Sequence, residues 1–161
     1  MRLELKPYEP SRTAAVSALI CRTLREISSR DYPADEIGRL CAMHSEEHIR
    51  RISGERVLLT AYDGDLLVGT AALDCSPQGY PPGYGLVSTV FVLPEYQGKG
   101  VGRMLMESVE GMARNSGSAV LVLESSISAC GFYRGLGFTE KPCSVGMSGR
   151  GLFPMEKKLM M

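Results

Sequence analysis

The stretch from residue 86 to residue 115 constrains the fold most. Residues 86–93 (LVSTVFVL) are apolar and β-branched, as a strand requires, and Pro94 stops them. Gln97-Gly98-Lys99-Gly100-Val101-Gly102-Arg103 follows. Leu105, Val109 and Met112 then recur at helical spacing until Asn115-Ser116-Gly117 ends the helix. Glycines let the backbone bend and let a ligand approach the amides closely. The first amides of a helix have no intrahelical partner and lie in positive potential, which suits a pyrophosphate or similar dianion. Lys99 and Arg103 add charge nearby. The turn is not a P-loop, because Lys99 is followed by Gly100 rather than Ser or Thr. Nor is it the GxGxxG turn of a dinucleotide-binding fold, whose third glycine would fall at Arg103. From the glycines alone, a tight strand-to-helix connection without a ligand stands beside the anion-binding reading.

The rest of the chain supplies a sheet for this unit. Residues 2–6 alternate as a first strand. Pro10 and Ser11 open a helix whose inner face is Val16, Leu19, Ile20, Leu24 and Ile27, with Ser11 as its expected N-cap. Two short helices are expected over 34–43 and 46–53, the second opened by Ser45. They read as a charged, solvated cover, or as one wall of a substrate pocket. Runs 56–62 and 66–73 flank Asp63-Gly64-Asp65, a hairpin signal. The Pro- and Gly-rich segment 75–85 is a loop. Residues 119–123 (AVLVL) read as a central strand, 127–135 as a short helix, and 138–147 and 152–159 as closing strands. The order predicts an α/β (α+β) fold: a mixed, mostly antiparallel sheet of six or seven strands flanked by about four helices, in a single domain over 1–161.

Composition excludes several classes. Lys plus Arg and Asp plus Glu are 18 each, so the net charge is zero and no excess cation is available for nucleic acid. No window approaches the roughly 18 apolar residues of a membrane span. The N-terminal MRLELKPYEP lacks the apolar core of an export signal, so a cytoplasmic location is expected, in keeping with five cysteines that form no CxxC pair. His44 and His48 stand four apart in a charged segment without an HExxH pattern. They read as a solvated helix face rather than a metal site, and no metal is expected.

Two motifs then coincide. Val92-Leu93-Pro94-Glu95-Tyr96-Gln97-Gly98-Lys99-Gly100-Val101-Gly102 fits V-x-P-x-x-[QR]-G-x-G-x-[GA], and Ala129-Cys130-Gly131-Phe132-Tyr133-Arg134-Gly135-Leu136-Gly137-Phe138 fits A-x-x-F-Y-x-x-x-G-F. In this order and spacing the chain resembles the GNAT superfamily of acyl-CoA-dependent N-acetyltransferases. The motifs are specific; residues 1–55 match in layout only. One departure is Ser126, where many relatives have Asn.

The resemblance implies transfer of an acetyl group from acetyl-CoA to an amine by direct attack in a ternary complex. It implies that amides of Gln97, Gly98, Lys99, Gly100, Val101 and Gly102, with Arg103, cradle the CoA pyrophosphate. Strand 86–93 would part from strand 119–123 after a bulge, pantetheine would pair with the backbone of Phe91 and Val92, and the Val92 amide would face the thioester carbonyl. Tyr133 takes the family's general-acid position, beside its alternative as a packed aromatic. Ser126 would reach the pantetheine through water or not at all. No carboxylate lies on strand 86–93, where some relatives carry a base, so Glu124 is a candidate through a water that Ser88 and Thr89 could order; its alternative is a solvated strand-end charge. An acyl-cysteine route through Cys130 lacks a neighbouring histidine in sequence. The acceptor amine, small or on a protein, would sit between 30–55, 75–85 and 143–154, where Arg30, Asp31, Tyr32, Tyr80 and Tyr84 are available. A homodimer is compatible with the resemblance. A non-catalytic acyl-CoA sensor and a transferase of longer acyl chains are the other readings.

Overall fold

The computed structural model describes residues 1–141 and 152–159. Seven strands form one sheet in the order β1 (Leu3–Pro7), β2 (Val57–Asp63), β3 (Leu66–Asp74), β4 (Tyr84–Val92), β5 (Val120–Ser125), β7 (Phe153–Lys158) and β6 (Thr139–Glu140). All neighbours are antiparallel except β4 and β5. Five helices accompany them: α1 (Thr13–Glu26), α2 (Ala34–Ala42), α3 (Glu46–Glu55), α4 (Val101–Asn115) and α5 (Cys130–Gly135). The fold is the mixed, mostly antiparallel one expected.

Helix α4 presents Val101, Leu105, Met106, Val109 and Ala113 as a fully buried stripe. Gly69 on β3 makes room for it: a Cβ there would lie 3.0 Å from both Leu105 and Val101. Gly69, Ala71 and Leu73 therefore face α4, and Thr70 and Ala72 face the other side. Buried Glu110 ties α4 to the far half of the sheet, accepting a 2.7 Å hydrogen bond from Lys157 Nζ on β7.

Local expectations differ in three places. Ser11 caps nothing, because it lies in a 3-10 turn over Pro10–Arg12 and α1 starts at Thr13, whose hydroxyl donates to the Pro10 carbonyl. The helix expected over 127–135 starts only at Cys130, since residues 126–129 form a turn closed by the Ser126 carbonyl. Of the strand expected over 138–147, Thr139 and Glu140 are paired, and 142–147 lie outside the described residues. Ser45 does cap α3, accepting from the His48 amide. Cys21, Cys41, Cys75 and Cys130 are free thiols, and Cys143 lies outside the described residues.

Candidate active site

The site begins where β4 changes partners. Its first residues pair in parallel with β5 at Tyr84–Val120, Gly85–Leu121 and Leu86–Val122, and there the pairing ends. On the β3 side, Ala72 pairs with Ser88 but Thr70 with Phe91, so Thr89 and Val90 together oppose Ala71 in a bulge. Thr89 has φ +56°, a left-handed conformation rare for a β-branched residue. The Thr70 hydroxyl holds it by donating to the Thr89 carbonyl (2.8 Å). The bulge turns the end of β4 away from β5 and opens a gap in the sheet.

Two groups at the mouth of this gap are aimed by the ladder. The Leu93 amide donates to the Val68 carbonyl (2.9 Å), which makes Gly69–Val92 a non-hydrogen-bonded pair. The N–H and C=O of Val92 therefore point away from β3, to the side that β5 has left. The Gln97 side chain reaches that carbonyl, donating from Nε2 at 3.2 Å.

The glycine turn follows. Gly98 and Gly100 adopt φ +76° and +89°. Gly100 is the N-cap of α4 and brings no side-chain cap. Among the described residues, the amides of Gly98, Lys99, Gly100, Val101, Gly102 and Arg103 have no acceptor; the Gln97 amide instead closes the preceding turn onto Pro94 O (3.4 Å), and Met104 is the first to bond back, to Gly100 O. The nest of donors thus begins one residue later than expected from sequence. Gly98 and Gly100 are open on the outside, whereas a Cβ on Gly102 would strike the Phe132 ring at 2.9 Å. The third glycine is there for helix packing. The turn is braced by Tyr96 Oη, which donates to Asp63 (2.6 Å) and holds that carboxyl below its ordinary value, and by Arg22, whose guanidinium spans the Glu95 carboxylate. Lys99 lies over the Tyr96 ring, and Arg103 is 3.8 Å from Glu107 on α4.

Phe132 leads to the second motif. Its ring packs edge-on against Tyr133 (5.0 Å), which packs against buried Phe138 (5.8 Å). Tyr133 is buried, and burial pushes its phenol well above the ordinary value, with Cys130 adding to the shift. Its hydroxyl has no partner among the described residues, yet no buried side-chain polar atom there is unpaired. The hydroxyl oxygen therefore keeps some contact with solvent. The Cys130 thiol is buried and donates to the Ser126 carbonyl (3.4 Å), an arrangement for a structural thiol. The Ser126 side chain makes no hydrogen bond among the described residues, while its carbonyl also receives Ser125 Oγ and the Ala129 amide.

Glu124 is exposed on β5, two residues past the last contact with β4, on the face shared by Ser88 and Phe91. Ser88 accepts from Arg56 Nη1 (2.7 Å). Asp31 is engaged by Ser128, through its amide and its hydroxyl, and so ties the α1–α2 connection to the start of α5. Burial raises the Tyr32 phenol above its ordinary value, with Asp31 and then Cys130 adding to the shift. Tyr80 and Tyr84 pack on each other at 5.6 Å.

The sequence reading missed His44. Its ring is mostly buried rather than solvated, and it meets Phe91 of β4 edge-on at 5.6 Å. The signal was present: Ser45 starts α3, so His44 lies between two helices and not on a helix face.

A family model described as an acetyltransferase (GNAT) domain matches residues 29–159. The chain belongs to the GNAT acetyltransferase family. The crystal structure of PaiA N-acetyltransferase from Thermoplasma acidophilum in complex with coenzyme A superposes with a TM-score of 0.83 at 18% identity, over 99% of this chain and 100% of that one. The Salmonella typhimurium protein yncA with acetyl-CoA gives 0.67 at 23%, over 100% and 96%. An IAA acetyltransferase of Azospirillum brasilense is 34% identical over 86 residues, about half of each protein (52% and 54%). The uncharacterized N-acetyltransferase YjcF of Bacillus subtilis strain 168 is 24% identical over 76% of this chain and 85% of its own. Among the described residues no helix is long and apolar enough to cross a membrane, and no cluster of metal-ligating side chains occurs.

Proposed function

We propose that this GNAT protein transfers an acetyl group from acetyl-CoA to a primary amine by direct attack in a ternary complex. The observation that carries the reading is the run of six unpaired amides, Gly98 to Arg103, at the start of a 15-residue helix beside the gap in the sheet. Donors of this kind fit the CoA diphosphate, and their helix dipole favours its charge. From there a pantetheine arm lies along the open edge of β4 past Phe91 and Val92, making the contacts β5 has given up. Ser126 directly follows β5 across the gap, and its hydroxyl would meet that arm through water or not at all.

The chemistry follows from the same edge. The Val92 amide donates to the thioester oxygen as it gains charge. The departing sulfur needs a donor, and Tyr133 supplies it. Its high pKa keeps the phenol protonated throughout the working range, so it acts as a hydrogen-bond donor to sulfur and passes a proton only as one is replaced from solvent. Exposed Glu124 is the carboxylate for a water-borne proton path out of the gap.

Thiol release from acetyl-CoA, measured with benzylamine, glycinamide and a lysine-containing peptide, tests the proposal alongside calorimetry with CoA. One CoA per chain and amine-dependent release are expected. Binding without release would indicate an acyl-CoA sensor, and faster release from a longer acyl-CoA a different donor. No binding overturns the reading.

A further inference from the structure

An alkyl ammonium must lose a proton before it can attack, and β4 offers no carboxylate to take it. His44 lies beside the open end of β4. Its ring contacts Phe91, the residue before Val92. Phe91 pairs with Thr70 and so projects from the face of β4 opposite α4, away from the helix whose N-terminus carries the donor nest. The backbone of His44 is pinned to α1 by Ser17 Oγ, which donates to its carbonyl at 2.6 Å. Nδ1 lies 2.8 Å from the Leu40 carbonyl. A carbonyl can only accept, so Nδ1 carries the proton and Nε2 keeps its lone pair. Among the described residues Nε2 has no partner. Fixed orientation, a fixed tautomer and a vacant lone pair are what a general base needs.

Resting on the transferase reading above, we propose that His44 is the general base, its Nε2 taking the proton from the acceptor's ammonium nitrogen. The N–H bond breaks, its electron pair stays on nitrogen, and the neutral amine attacks the thioester carbonyl. The C–S bond then breaks, and sulfur leaves as a thiolate. The second ammonium proton passes to that thiolate by way of water and Tyr133, and the imidazolium returns the first to solvent. The sum is one ammonium and one acetyl-CoA giving one amide, one free thiol and one proton. Burial holds the imidazole below its ordinary pKa, outweighing the opposing hydrogen bond to the Leu40 carbonyl, and nearby His48 acts in the same direction as burial, so the ring is neutral at pH 7. Phe91 from β4, which borders the ring, and Ser17 from α1, which holds the His44 carbonyl, carry no charge.

His44→Asn tests this, because the Asn amide can still donate toward Leu40 O and places nothing at Nε2. With the best of the three amines above, kcat/KM at pH 7 is expected to fall by about 10²- to 10⁴-fold. The deficit shrinks as pH approaches about 10, where alkyl amines shed the proton unaided. The acid limb of the wild-type profile disappears, and CoA affinity stays unchanged. His44→Gln, which also lacks the base, repeats the measurement should the Asn variant fold poorly. A His44 variant with the wild-type pH profile overturns the role and leaves the transferase reading standing. A wild-type protein that binds CoA but acetylates none of the three amines also overturns it. Failure to bind CoA removes the transferase reading itself, and this role with it.

Discussion

The two ends of β4 are built from similar residues and do opposite things. At Tyr84–Leu86 the strand pairs with β5, Leu86 pairs with β3 as well, and Gly85 is fitted so closely that a Cβ would lie 3.0 Å from Leu121 and 3.2 Å from Ser118. Three residues further on, the bulge at Thr89–Val90 has taken it away from β5, and the donors beyond it have no protein acceptor. A paired end spends its hydrogen bonds on stability, and an open end keeps them for a ligand. Substitutions at the two ends should therefore separate binding from folding.

The largest effect is expected at the open end. Gly100→Asp places a carboxylate among the orphan amides, where it caps α4 itself and repels the diphosphate. CoA affinity should fall at least about 100-fold by calorimetry, close to 3 kcal/mol. Thermal stability should change little, since a new N-cap of about 1 kcal/mol offsets a left-handed backbone of about the same cost. Equal losses of binding and stability would erase the distinction. Tyr133→Phe removes only the hydroxyl. A drop in kcat of roughly 10- to 100-fold with unchanged CoA affinity is expected, and an unchanged kcat would return Tyr133 to a packing role.

At the paired end the pattern reverses. Gly85→Ala should destabilise by about 1–2 kcal/mol through overpacking against Leu121 and Ser118, read from denaturant midpoints, with CoA affinity intact. The smallest effect is at the bulge itself. Thr89→Gly relieves a positive φ and should stabilise by up to about 1 kcal/mol. Any larger change would mean that its side chain does more than sit in the bulge.

The paired regions were the legible ones. Alternating apolar residues, Asp63-Gly64 and the stripe Leu105, Val109 and Met112 each answer to a local rule, and the sheet follows from them, with Ala113 buried in the helix where Met112 was expected. The donor nest was legible because glycines before an amphipathic helix have few other uses, though Gly102 proved to be clearance for Phe132. His44 was not. Its environment is made by Leu40 one helical turn before it and by two segments distant in sequence, at Ser17 and Phe91. Periodicity places a residue on a face but says nothing about which ring meets that face. The departure of β5 was expected from the family resemblance alone, because Thr89 reads as an ordinary strand residue until its φ is known.

The donors themselves can be watched directly. In an amide-resolved NMR titration with CoA, the resonances of Gly98 through Arg103 should move most, followed by Val92, while those of Gly85 and Leu121 at the paired end stay in place. Shifts concentrated elsewhere, or none at residues 98–103, would contradict the account.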